Sequence, residues 1–141
     1  MSEETRFFHY HNENPKNKKI NDCTYRALAL FLGKTWENIA RLDAEFYFEH
    51  GMWLYGTEIT GAVSRSCLKD FMQEYGCRQI YNVDIKGHNK IESLQEFIEN
   101  MADSVKKYFC ELNGHVTVIK DNKVWDTFDS SGYCPVAIYE L

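Results

Sequence analysis

The sequence predicts an α+β domain, with helices in its first two thirds and an antiparallel sheet closing the chain. Three observations predict this. An apolar run follows Asn21-Asp22 and stops at Gly33, as a capped helix would. Two β-branched runs, His115–Lys120 and Lys123–Phe128, flank Asp121-Asn122, a hairpin signal. Helical periodicity occupies the chain up to about Met101 and strand patterns follow it, an order typical of α+β rather than alternating α/β folds. At 141 residues the chain fits a single domain, large enough to bury a core without disulfides.

The elements can be justified in order. Thr5 to His11 alternates aromatic and polar residues and predicts an edge strand, with Phe7, His9 and His11 on one face. The His9-x-His11 pair has the spacing of two metal ligands in a strand, but no third ligand is placed to join it. Asn12 to Ile20 is polar and carries Asn14-Pro15, a turn and loop. The first helix runs from Cys23 to Leu32, capped by Asp22 or Asn21 and ended by Gly33. Thr35 caps a second helix that carries Trp36, Ile39, Ala40 and Leu42 towards Phe48. An aromatic passage from Phe46 to Tyr55 follows. A third helix spans Ser64 to Tyr75, closed by Gly76. Arg78 to Asp84 predicts a strand, with a turn at Gly87-His88-Asn89. Ser93 caps a fourth helix bearing Leu94, Phe97, Ile98 and Met101. Tyr108–Leu112, the hairpin and Val136–Leu141 supply the final strands.

Composition excludes several classes. A formal charge of −5 argues against general nucleic-acid binding. The local lysines Lys16, Lys18 and Lys19 read as a solvated loop bordering the first helix. Five cysteines, an odd count with no CxxC and no apolar leader, predict a reduced, cytoplasmic protein. The longest apolar run is far too short to cross a bilayer. Neither a cofactor nor a metal is implied by any motif.

Two places carry chemistry. Cys23 opens a helix, where the macrodipole favours negative charge and so the thiolate, the nucleophilic form. Ninety-two residues on, pairing Asp121-Asn122 as a two-residue loop sets Val118 opposite Trp125, Thr117 opposite Asp126 and His115 opposite Phe128. His115 and Asp126 then share a face as diagonal neighbours, about 7–8 Å apart at the backbone and within side-chain reach. A thiol, an imidazole and a carboxylate are the nucleophile, base and orienter of acyl-transfer enzymes. Asp129 competes with Asp126 for the last role, but alternation turns it to the other face. His50 and His88 sit in turns with no partner that singles them out.

With Asn21-Asp22-Cys23, Arg26-Ala27 and Leu28-Ala29 early, and Gly114-His115-Val116 followed by Asp121, Trp125-Asp126-Thr127 and Asp129 late, the chain resembles the papain-like cysteine peptidase superfamily. It is most similar to small bacterial and bacteriophage members, over roughly Asn14 to Leu141. The resemblance implies one papain-like domain over residues 1–141, its nucleophile at the start of a central helix. It also implies a Cys23–His115–Asp126 triad. Such enzymes carry a Gln about six residues before the cysteine to donate to the oxyanion. Asn17 holds that position here, with Asn14 and Asn21 as substitutes and the Cys23 backbone N–H as second donor.

The expected activity is therefore that of a thiol-dependent hydrolase of the cysteine peptidase or isopeptidase type, acting on a protein or peptide substrate through an acyl-enzyme. The same triad would serve a deamidase or acyltransferase. A third reading, a phage-encoded protein-binding module on this scaffold, would use the acidic surface and the Phe46–Tyr55 aromatics as its interface. No nucleic-acid or membrane partner is expected.

Overall fold

The computed structural model describes residues 4–17, 22–51, 65–84 and 90–141, and for 65–67 the backbone alone. Within these residues lie four helices and six strands: β1 (Phe8–Tyr10), α1 (Cys23–Leu32), α2 (Trp36–His50), α3 (Arg65–Glu74), β2 (Arg78–Asn82), α4 (Leu94–Asn100), β3 (Tyr108–Leu112), β4 (His115–Lys120), β5 (Lys123–Asp126) and β6 (Ala137–Glu140). The fold is α+β, as its sequence predicts. Met52–Tyr55 of the aromatic passage, Lys18, Lys19, Asn21 and the Gly87-His88-Asn89 turn lie outside the described residues.

The local signals behave as their chemistry requires. Thr35 and Ser93 accept at their N-caps from the backbone N–H groups of Asn38 and Glu96, at 3.1 Å each. Gly33, at φ 66°, closes α1 in the left-handed region that glycine enters without a Cβ clash. Asp121 and Asn122 both have positive φ, 53° and 60°, the two-residue turn whose twist matches that of the flanking strands. The register follows: Val118 faces Trp125 and Lys120 faces Lys123.

The sheet differs from expectation in one respect. It is mixed rather than antiparallel, in the order β1-β5-β4-β3-β6-β2, because β1 runs parallel to β5 with Phe8 beside Val124 and Tyr10 beside Asp126. Direction is what matters here. A parallel β1 exits at the Asp126 end of the sheet, where the His11 N–H donates to the Asp126 carbonyl at 2.8 Å. The following loop then has a short way to go to the start of α1. An antiparallel β1 would deliver the chain to the opposite end.

Helices cover both sheet faces, so the expected single packing of helices on a sheet becomes three layers. On one side Leu28 and Phe31 of α1, Ile39 and Phe46 of α2 and Phe71 of α3 pack with Phe109, Val116, Val118 and Tyr139. On the other, Leu94, Phe97 and Ile98 of α4 pack with Tyr108, Cys110, Ile119, Val124 and Ile138. Successive β3 residues divide between the two, as strand alternation demands. Each fully buried Leu, Ile or Phe contributes about 1.5–3 kcal/mol, so α1 is held firmly over β4.

Candidate active site

The site forms where the start of α1 meets the open end of the β4–β5 hairpin. Cys23 is the first residue of α1 and is 6% exposed. His115 opens β4 and Asp126 ends β5, so the two-residue turn sets their relative position. His115 Nε2 lies 2.7 Å from Asp126 Oδ2. An ionised carboxylate only accepts, so Nε2 carries the proton and Nδ1 is left for the thiol. The imidazole is bonded to the Cys23 thiol, and the Val116 backbone N–H reaches the same sulfur. Phe128, opposite His115 in the hairpin, stacks on its ring at 4.8 Å between centroids.

The electrostatics follow from this packing. Burial pushes the Cys23 thiol up, but His115, the Val116 N–H and the charge of Arg26 together pull it below the ordinary thiol value. Burial alone would lower His115; its bonds to Asp126 and Cys23 outweigh that and raise it to about 9. Burial likewise opposes the charge on Asp126, and His115 and then Arg26 hold its carboxyl below the usual carboxylate range. At neutral pH the imidazolium and the carboxylate are therefore the favoured forms, and both draw the Cys23 thiol towards its thiolate.

Arg26 was singled out in the sequence only as part of the resemblance, and its role comes from geometry. Its Nε donates to Asp22 Oδ1 at 2.7 Å and its Nη1 to Asp126 Oδ1 at 3.0 Å. One guanidinium thus ties the start of α1 to the end of β5, with 12% of its side chain exposed. The i,i+4 pairing of Asp22 with Arg26 is legible in the sequence. The bond to Asp126, a hundred residues away, is not.

Asp22 corrects one expectation. It stands at the N-cap of α1, yet its side chain makes no capping bond. Its carboxylate is instead fully buried, accepting from Arg26, from Trp36 Nε1 at 2.8 Å and from Asn14 Nδ2 at 2.9 Å. A guanidinium and two side-chain N–H donors outcompete the first-turn amides because charge-assisted bonds are the stronger ones.

The oxyanion candidates separate. Asn17 is exposed, at φ 53°, its backbone N–H donating to Asn14 O at 2.9 Å. Asn14 is buried and its amide nitrogen is committed to Asp22. Asn21 lies outside the described residues. Asp129 is exposed and accepts from the Ser131 N–H at 2.9 Å, a local turn away from His115. His50 does have a partner, contrary to expectation: Glu74 Oε1 at 2.7 Å. Glu49, His50 and Glu74 lie close enough to share an ion, but all three are exposed side chains of a solvated surface. His9 and His11 are bonded to Glu4 and Glu13 and lean on the Trp125 ring, an aromatic stack rather than a chelating pair.

A narrow pocket of about 10 Å³ adjoins the thiol, lined by Cys23, Arg26, Leu30, Thr117 and Trp125 among others. That is room for about one water. No family model, curated protein or solved structure matches this chain. Among the described residues, no helix is long and apolar enough to cross a membrane.

Proposed function

We propose that this chain is a thiol-dependent hydrolase, of the cysteine peptidase or isopeptidase type, with a Cys23–His115–Asp126 triad on a papain-like fold. One observation carries the proposal: His115 is hydrogen-bonded both to the Cys23 thiol and, through Nε2, to the Asp126 carboxylate. A helix start facing a strand pair across that imidazole is also the arrangement the papain-like resemblance implies.

The chemistry follows from the charges. The Cys23 thiolate attacks the carbonyl carbon of an amide, and its electron pair forms the C–S bond while the carbonyl oxygen becomes an oxyanion. The Cys23 backbone N–H and Asn17 are the proposed donors to that oxygen. As the tetrahedral adduct collapses, His115 gives its Nδ1 proton to the leaving amine and the C–N bond breaks. His115, now neutral, takes a proton from water as the water oxygen bonds to the thioester carbon; the C–S bond then breaks, releasing the carboxylic acid product and restoring the Cys23 thiolate beside the His115 imidazolium. Asp126 keeps Nε2 protonated throughout, and so keeps Nδ1 as the nitrogen that exchanges protons with sulfur and substrate. Cys23, Cys77, Cys110 and Cys134 are free thiols, which fits a reducing cytoplasm.

The test is selective alkylation. Limiting iodoacetamide at pH 6 should modify Cys23 before Cys77, Cys110 and Cys134, as read by peptide mapping. A Cys23→Ala protein should fold, retain its substrate and lack turnover, and mass spectrometry of what it captures would identify the substrate. Equal labelling of these cysteines, or an inert Cys23 in the folded protein, overturns the proposal.

A further inference from the structure

Beside the thiol pocket, along α1, lies a wider cleft of about 620 Å³, and Glu13 and Leu30 line both. Three ammonium groups stand around this cleft: Lys34, just beyond the end of α1, Lys107, and Lys120 at the end of β4. No carboxylate lies within ion-pair distance of any of the three among the described residues. Lys106 and Lys123, by contrast, are paired with Glu140 and Glu4. Lys107 is held in place by the Leu30 carbonyl at 2.7 Å, and Lys120 lies 4.3 Å above the Trp125 ring. Against them the cleft offers one carboxylate, Glu13, already bonded to His11. A surplus of cations has thus been gathered on a protein of net charge −5, beside the Cys23 thiol.

We propose that this cleft is the specificity site of the hydrolase and binds an acidic segment of a peptide substrate. The proposal rests on the triad reading and adds the substrate class to it. Distances agree with a peptide lying along α1. Cys23 to Leu30 is seven helical steps, about 10 Å at 1.5 Å each. An extended chain covers that in about three residues at 3.3 Å each. Aspartate or glutamate three to five residues from the scissile bond would meet the lysines. Burial, and next the neighbouring charge of Lys120, hold the Lys107 ammonium below its usual value, so an anion there would relieve a like-charge contact. The walls nearer the thiol, Leu30 and Trp125, suit the apolar stem of the same chain.

Electrophilic peptides test this without knowledge of the natural substrate. One series carries a C-terminal vinyl sulfone and a second an N-terminal chloroacetyl group, so that the chain extends from the thiol in either direction. Each series has three matched members, bearing Glu, Gln or Lys at the third to fifth positions. The rate of Cys23 labelling is read by intact mass and divided by the same protein's rate with iodoacetamide. In one of the two directions the Glu probe should exceed the Lys probe by at least about tenfold, with an advantage that shrinks as salt is raised. A Lys34→Glu/Lys120→Glu protein should invert the order, and Lys34→Gln/Lys120→Gln should level it. Equal rates for all probes in both directions, or a Glu preference unchanged in both variants, overturn the acidic-substrate proposal while fast iodoacetamide labelling leaves the triad standing. If Cys23 resists iodoacetamide itself, the triad reading fails and takes the cleft with it.

Discussion

Cys23 and Cys110 are both buried thiols, yet the fold draws one towards the anion and holds the other as a thiol. Cys110 sits in the middle of β3, wholly buried among α4, Ile119 and Ile138, and burial alone drives its thiol far above the ordinary value. Cys77 shows the same effect more weakly, at about 11. Cys23 suffers burial too, as the largest influence on it, but the imidazole, an N–H and a guanidinium reverse the sign. The lesson is that neither depth nor helix position activates a thiol here. A partner that can hold the proton does, and the hairpin supplies it.

The largest effect should come from removing that partner. His115→Ala should return Cys23 to ordinary thiol behaviour near pKa 8.5, cutting its alkylation rate at pH 6 by well over threefold. Cys110 should stay unreactive in both proteins until they unfold. A fall of less than threefold, measured by peptide mapping, would mean that the two thiols differ for some reason other than His115.

Next in size is the link between the two halves of the site. Arg26→Leu would leave the Asp22 and Asp126 carboxylates buried without their shared cation, costing about 3–5 kcal/mol in chemical denaturation. Arg26→Lys keeps the charge but loses the fork that spans both carboxylates, so it should recover only part of that stability. A Cys110→Ser change in the other region tests a neutral defect of about 1–3 kcal/mol, with no influence on Cys23 reactivity. Equal effects of Arg26→Lys and wild type would reduce Arg26 to a point charge.

What could be foreseen divides along the same line. Caps, C-terminal glycines and the hairpin register are local chemistry, so Thr35, Ser93, Gly33 and Asp121-Asn122 were legible in the sequence and positioned His115 relative to Asp126. The parallel pairing of β1 with β5 and the bond from Arg26 to Asp126 were not, since both join residues about a hundred positions apart and neither has a local signature. Asp22 departs from its local signal for a related reason. Its sequence context recommends a cap, while three donors brought by Asn14, Arg26 and Trp36 decide otherwise.

The pH dependence sharpens the contrast further. His115 rises from about 6.5 to about 9 on folding, so its protonated form stabilises the fold fully below pH 6.5 and that contribution is lost as pH climbs through 9. Cys23 moves the other way: its anion stabilises above the unfolded thiol value and is lost as pH falls through the lowered one. Alkylation and turnover should therefore part company above pH 9. The thiolate persists and alkylation should hold its plateau, whereas the proposed hydrolysis should decline because His115 no longer carries a proton for the leaving amine. Parallel decline of both rates would show that the site itself, rather than one proton, is lost at high pH.

The smallest effect should be at Asp129, and its smallness is informative. Asp126 ends the second strand of the hairpin and Asp129 lies three residues beyond it, and a register shifted by one residue would exchange faces along the whole strand. In the observed register Asp126 is buried on His115, while Asp129 is exposed and accepts from the Ser131 N–H. Asparagine retains an oxygen that can accept the same bond, so Asp129→Asn should change stability by less than about 0.5 kcal/mol, as surface substitutions do. The Cys23 alkylation profile should be superimposable on wild type. Asp126→Asn should lower that rate about tenfold, because the amide can no longer stabilise the imidazolium by charge and frees the ring to turn. Both variants are to be assayed side by side across pH 5 to 10, with melting curves to show that each is folded. An Asp129 effect larger than that of Asp126 would move the orienting carboxylate three residues along the chain, and with it the face on which His115 meets the thiol.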